Sequence, residues 1–325
     1  MDYGCTGGRV KEMTEEYYSK LMEKIMKKEF VYTGELEPEK TTDPEETVEA
    51  AKEMIGIVTA ANVTDGPQAM AYMNSMVASY HVLQAGMEPV YQLTCRDRNR
   101  IALVADLLGA YSLGIRNVLA LTGDHSGVGD NPDSMPVFDL DSGQLAYLIK
   151  ELMAGKDLRG NPVHKPPKFW VGVAGNPNAD PLEPEILKIG RKAKYADFVQ
   201  TQVIYQIDET KAFLKELEKY KSYNGVSIPV QIGIFPMKSY GVAKYFNDYI
   251  PGVSVPQDLL DEFKAVKKGG FSKQEKKEKN AEINVKFFVP FIKELKKTTR
   301  CAGIHVMAVG YAKVVKQIID EVEGN

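Results

Sequence analysis

The sequence predicts an α/β chain folded as a single (β/α)8 barrel. Two observations carry that prediction. Eight short apolar runs recur along the chain, and each is followed by a longer stretch of helical periodicity. Strict strand–helix alternation implies parallel strands joined by right-handed crossovers. Eight such units over roughly 250 residues or more favour a closed ring over the alternative, an open doubly wound sheet. The strands are expected at 30–36, 61–64, 89–94, 117–121, 169–174, 198–201, 229–234 and 303–307. The helices are expected at 44–58, 68–84, 98–113, 142–153, 183–194, 208–220, 238–249 and 311–322. Before the first strand, Tyr17, Leu21, Ile25 and Met26 fall near helical spacing, which predicts a helix over 12–28. Between the seventh and eighth strands, residues 255–297 add helices. The charge run at 273–279 in that insertion reads as a solvated helix face or a mobile loop. No internal repeat or linker is evident, so 1–325 is expected to be one domain, with an arm and helix over 1–29 and the barrel over 30–325.

A net charge of -3 gives no electrostatic reason to expect nucleic acid or a membrane surface as partner. Cys5, Cys95 and Cys301 are far apart and form no CxxC pair, so neither a disulfide framework nor a zinc site is expected. That usage argues against an oxidising compartment. The N-terminus lacks the apolar core of a secretory signal, and no run approaches the ~18 apolar residues of a membrane span. A cytoplasmic protein is expected.

In a parallel barrel the chemistry sits at the C-terminal ends of the strands. Those ends carry Glu35 and Glu37, Asn62 to Asp65, Gln92 to Cys95, Thr122 to His125, Gln200 to Gln202, and Phe235-Pro236 with Tyr240. The fourth strand is followed by a long Gly-, Asp- and Pro-rich loop over 122–141, of the kind that builds barrel active sites. The set is rich in carboxylates, amides and hydroxyls. It has no serine with a matching histidine, no histidine cluster for a catalytic metal and no prominent strand-end lysine for a Schiff base. His125 is the one histidine on a strand-end loop. Such a site suits a bound cofactor that performs the difficult step.

The most specific segment is Asn117-Val118-Leu119-Ala120-Leu121-Thr122-Gly123-Asp124. Gln92-Leu93-Thr94-Cys95, Thr201-Gln202, Gly233-Ile234-Phe235-Pro236, and the pairs Asn176-Pro177 and Asp180-Pro181 follow the same order. On these segments the chain resembles the catalytic barrel of the methylenetetrahydrofolate reductase family over about 30–322. That family's fourth strand ends in Arg-Gly-Asp, and here Thr122 replaces the arginine.

The resemblance implies reduction of 5,10-methylenetetrahydrofolate to 5-methyltetrahydrofolate through a reduced flavin. It places Glu35 as the general acid that protonates N10 as the imidazolidine ring opens, and burial beside flavin and pterin would keep such an acid protonated. Glu37, two residues on, either shares that face or belongs to the adjoining loop. Asp124 would stabilise the cationic iminium and tune the flavin. Gln202 would contact folate and nicotinamide. Thr64 and Asp65 would contact nicotinamide and flavin, and Thr94, Thr122 and Gly123 would border the isoalloxazine. Ser142, opening a helix, would meet a flavin phosphate. Arg191 and Lys192 would hold phosphates or ribose, Glu185 would face the ribose, and Tyr240 would lie near the stacked substrate or nicotinamide.

Four further positions depart from the family pattern. Asn176 and Asp180 replace a tyrosine and a histidine at the cofactor, Gln92 replaces a histidine, and Tyr311 stands where a folate-contacting arginine is expected. FAD is the expected cofactor, and these departures make FMN the alternative. The electron donor is NAD(P)H or a protein, including a partner subunit carrying zinc and iron–sulfur centres. The arm Tyr3-Gly4-Cys5-Thr6-Gly7-Gly8-Arg9 is either a contact for such a partner or an unstructured terminus. An oligomer is expected. The alternative function is a flavin-bearing electron-transfer or scaffold subunit without folate turnover of its own.

Overall fold

The computed structural model describes residues 17–250 and 252–324. The proposed partner contact of the N-terminal arm lies outside those residues. Eight parallel strands close into a barrel in sequence order. They are β1 (Val31–Leu36), β2 (Ala60–Val63), β3 (Pro89–Thr94), β4 (Asn117–Leu121), β5 (Trp170–Gly175), β6 (Phe198–Val203), β7 (Val230–Ile234) and β8 (Gly303–Val306). The expected (β/α)8 architecture is the observed one, and each strand falls within two residues of its expected bounds.

The helices are α1 (Lys20–Met26), α2 (Glu45–Met54), α3 (Ser75–Gln84), α4 (Arg100–Ser112), α5 (Ser142–Met153), α6 (Leu182–Ala193), α7 (Ile207–Leu217), α8 (Tyr240–Tyr249), α9 (Gln257–Lys268), α10 (Lys273–Thr298) and α11 (Ala312–Glu323). No helix among the described residues is long and apolar enough to cross a membrane. Three expectations need correction. The helix expected over 44–58 ends at Met54, where Ile55 turns to an extended backbone. The helix expected over 68–84 begins only at Ser75. Gln68 and Ala69 take φ of 53° and 57°, which an α-helix cannot accommodate. Asn74 then caps α3, its side chain accepting from the N–H groups of Met76 and Val77. The helix expected over 12–28 is described only from Lys20, where the Ser19 hydroxyl accepts from Met22 N–H. The charge run at 273–279 opens α10, a helix of 26 residues started by a reciprocal capping box between Ser272 and Glu275. It forms helix rather than loop.

The barrel interior is layered. At the N-terminal end, Val31, Ala60, Val90, Leu119, Trp170 and Phe198 pack together, and Leu21, Met22 and Ile25 of α1 close that end. The Glu88 carboxylate accepts from the N–H groups of Lys20 and Leu21 at 2.7 and 3.0 Å and so anchors the plug to β3. Above this apolar layer lies a polar one of Thr33, Asn62, Gln200, Gln231 and His305, all buried. Above that the barrel opens.

Candidate functional site

Side chains alternate along β1, so Thr33 and Glu35 share the inward face, with Glu35 nearer the mouth. The same rule stacks Gln92 on β3, Gln200 and Gln202 on β6, and His305 with Met307 at the end of β8. All of these but Thr33 line a mouth cleft of about 370 Å³. A second cavity of about 400 Å³ adjoins it and shares Thr122, Ser142, Lys188 and Lys192. It runs outward past Arg191 to the rings of Tyr147 and Tyr195, whose centroids are 4.9 Å apart. One continuous groove thus leads from the barrel floor to the space between α5 and α6.

The floor of the cleft is a hydrogen-bonded network. Asn62 Nδ2 donates to Gln200 Oε1 at 2.8 Å, and Gln200 Nε2 donates to Gln231 Oε1 at 2.8 Å. Thr33 Oγ1 lies 3.1 Å from Gln231 Oε1 and 3.0 Å from His305 Nδ1. His305 Nε2 lies 3.5 Å from Glu35 Oε2. The sequence reading took His125 as the one histidine near the mouth and missed His305. The signal was present: in the run Gly303, His305, Met307 every second residue faces inward. His125 instead accepts from Gly127 N–H within its own loop and stacks on Phe138.

Seven of the expected residues line the mouth cleft: Glu35, Thr122, Ser142, Asn176, Glu185, Lys192 and Gln202. Glu37 is exposed beyond the strand, and its carboxyl is pushed up by partial burial and by the negative charge of Glu35. A register shift between Gln200 and Val203 interrupts the β6–β7 ladder beside Gln202. Gln202 Oε1 accepts from Val203 N–H at 2.9 Å. Glu185 accepts from Asn176 N–H at 3.0 Å and pairs with Lys188 at 2.9 Å. Lys192 is buried and donates to Ala174 O at 2.6 Å. Burial, and after it the like charge of Lys188, pushes its ammonium down to about 8. Arg191 lines the second cavity.

The remaining expected residues lie outside the lining of the cleft. The carboxylate of Asp65 is enclosed: it accepts from Ser75 Oγ, from Thr94 N and Oγ1, and from both terminal nitrogens of Arg98. Its position sets where β3 ends, and Thr94 Oγ1 is held in the same cluster. Thr64 follows Asn62 on the inward face; its hydroxyl is buried and has no partner. Gly123 takes a φ of +92° and passes close over Thr94 and Arg96. Asp124 is on the exposed rim, accepting from Gln68 N–H at 2.9 Å. Asp180 is exposed. Tyr240 and Tyr311 lie on the α8–α11 side, beneath the ammonium groups of Lys267 and Lys238, which are 5.2 and 5.8 Å from the respective ring centroids.

The residues present fit a flavin nucleotide. The groove has the size of a cofactor site. Its outer wall offers Lys188, Arg191 and Lys192 beside the start of α5, a natural place for phosphate.

The sequence profile of methylenetetrahydrofolate reductase matches residues 20–323. Methylenetetrahydrofolate reductase 1 of Schizosaccharomyces pombe is 27% identical over 239 residues, covering 70% of this chain and 34% of its own length. Methylenetetrahydrofolate reductase 2 of the same yeast is 25% identical over 320 residues, covering 92% of this chain and 46% of its own length. The chain therefore spans less than half the length of these relatives. Among solved structures, a Clostridium thermocellum protein described as binding two copies of 5-methyl-5,6,7,8-tetrahydrofolic acid superposes with a TM-score of 0.62 at 13% identity, covering 94% of this chain and 99% of its own. EDTA monooxygenase of Chelativorans sp. BNC1 superposes with a TM-score of 0.57 at 9% identity, covering 90% of this chain and 92% of its own. At these identities the superpositions establish the fold alone.

Proposed function

This chain belongs to the methylenetetrahydrofolate reductase family, and on that premise we propose that it reduces 5,10-methylenetetrahydrofolate to 5-methyltetrahydrofolate with a bound flavin. The observation that carries the reading is Glu35: an inward-facing carboxyl on the floor of a cleft whose outer wall is basic. When bound, the flavin supplies the hydride for the substrate's methylene carbon. The chain's own groups do the rest. Glu35 gives a proton to the substrate nitrogen released as the ring opens. Gln202 and Gln92, facing the same cleft, offer amide groups matched to the pterin edge. Asp124 places a negative charge on the rim, where it opposes the positive charge of the opened substrate. Lys188, Arg191, Lys192 and Ser142 hold the cofactor's phosphates, and the Tyr147–Tyr195 pair offers a face for an adenine, which favours FAD over FMN.

The substrate's glutamate end needs a cation. Tyr311 does not supply one, but Lys238 lies over its ring, 5.8 Å from the centroid, and takes that part. The electron donor is NAD(P)H or a redox protein. A neighbour of the same fold is described as binding 5-methyl-5,6,7,8-tetrahydrofolic acid, which accords with a folate as ligand.

The test begins with the purified protein, which should be yellow and should bleach on reduction. Methylenetetrahydrofolate should restore the colour. Glu35→Gln should keep the flavin but slow that reoxidation by ~10²–10⁴-fold. An unslowed variant removes Glu35 from the acid's role, and a protein that binds no flavin removes the reading altogether.

A further inference from the structure

His305 lies on the inner face of β8 with almost no exposure to solvent. Its two ring nitrogens face different groups: Nδ1 lies 3.0 Å from Thr33 Oγ1 and Nε2 lies 3.5 Å from Glu35 Oε2. Which nitrogen carries hydrogen decides what Glu35 meets, and the network beneath the cleft determines it. Asn62 donates to Gln200, and Gln200 in turn donates to Gln231 Oε1. Gln231 therefore presents an oxygen to Thr33, and the threonine's single hydroxyl proton goes to that oxygen. Thr33 Oγ1 has then only lone pairs to offer His305, so Nδ1 must be the protonated nitrogen. Nε2 is left with its lone pair toward Glu35.

We propose that Thr33 and the amides of Asn62, Gln200 and Gln231 lock His305 as its Nδ1–H tautomer, making it the positioning residue that holds the acid proton on Glu35 and aims the carboxyl at the substrate. This rests on the reading of Glu35 as the acid. An ionised Glu35 would set two acceptors, a carboxylate oxygen and a bare imidazole nitrogen, against each other. A protonated Glu35 replaces that repulsion with an O–H···N contact. The imidazole needs no charge of its own, and the buried site then holds one proton and no net charge on the pair. When Glu35 gives its proton to the substrate, the O–H bond breaks, the N–H bond on the substrate forms, and His305 stays neutral. Resetting the site takes one proton from solvent back to the carboxylate.

The 325-residue chain has four histidines, which makes nitrogen-15 NMR of histidine-labelled protein tractable. The His305 signals are those lost in His305→Gln. At pH 7, with and without bound flavin, His305 should show a protonated Nδ1 and an unprotonated Nε2. Thr33→Val removes the hydroxyl that orients the ring. It should move the ring toward the Nε2–H tautomer and slow flavin reoxidation by methylenetetrahydrofolate about tenfold, with flavin stoichiometry unchanged. If wild-type Nε2 carries a proton, as a neutral tautomer or as imidazolium, the proposal is overturned, whatever Thr33→Val does. The parent reading fails separately, through an unslowed Glu35→Gln. A slowed Glu35→Gln together with a protonated Nε2 leaves that reading standing and removes only this one.

Discussion

The ammonium of Lys192 donates to the carbonyl of Ala174 at 2.6 Å, tying the buried face of α6 to the end of β5 at the point where the two cavities meet. It is a buried cation with a carbonyl rather than a carboxylate as partner, and its proton is held weakly, to about 8. Between that value and the ordinary 10.5, the folded protein binds fewer protons than the unfolded chain. The unliganded protein should therefore gain stability as pH rises through that window. A bound phosphate has the opposite preference, because it favours the ammonium. Flavin affinity should be flat below pH 8 and fall above it, approaching tenfold per unit. Lys192→Met should weaken flavin binding by about 1.5–3 kcal/mol, or roughly ten- to a hundredfold, and flatten the profile. Titration of flavin fluorescence from pH 7 to 9.5 checks both.

Asp65 is the structural keystone of the β2–β3 side. Both its oxygens are engaged by Arg98, at 2.6 and 3.2 Å, while Ser75 and Thr94 complete the shell. Asp65→Ala leaves a buried guanidinium with Asp106 as its remaining carboxylate partner and removes the acceptor of the Thr94 N–H and hydroxyl. We expect a loss of about 3–5 kcal/mol, read as a lower urea midpoint with an unchanged slope. If instead stability holds and only flavin or nicotinamide binding falls, Asp65 acts at the cofactor after all.

Lys238 tests how the chain manages without an arginine at position 311. Its ammonium is exposed, so a contact with a substrate carboxylate is worth little more than a surface ion pair. Lys238→Ala should raise KM for methylenetetrahydrofolate about threefold and leave kcat nearly unchanged, the signature of binding lost equally in ground and transition states. Lys238→Arg should restore the wild-type KM. A fall in kcat with unchanged KM would place Lys238 elsewhere in the cycle.

The barrel was legible because its signal is local. Short apolar runs such as 89–94 and 117–121 declare strands, and periodic stretches such as 142–153 declare helices whose caps, Asp141 with Gln144, lie within four residues. What failed was what depends on distant partners. Nothing near Gln68 announces that its N–H will be fixed by Asp124, 56 residues on, in a left-handed turn that delays α3. Asp65 reads as a strand-end carboxylate suited to a cofactor, and only the approach of Arg98, 33 residues on, makes it an internal brace. His305 is the opposite case. It sits on the inward register of its strand, but it faces Glu35 because a closed ring brings β8 beside β1.

Gly123 provides the sharpest test of the mouth's architecture. Two costs are combined there. Its φ of +92° strains any L side chain, and a Cβ would lie 3.0 Å from Thr94 Cβ and 3.1 Å from Arg96 Cβ. Both neighbours are buried and braced, so neither yields easily. Gly123→Ala should cost about 2–5 kcal/mol, combining left-handed strain of ~1–2 with overpacking of ~1–3. Gly160 supplies the control, since it has a φ of +85° with nothing within 4 Å of its would-be Cβ. Gly160→Ala should cost only the strain. The difference between the two, measured by urea unfolding, isolates the close approach of the β4 loop to the end of β3. Because Gly123 lies between Thr122 of the cleft and Asp124 of the rim, its alanine variant should also lose flavin on dilution. Equal costs at the two glycines would mean that the loop can move away from β3 freely, and that the groove's inner wall is not rigid.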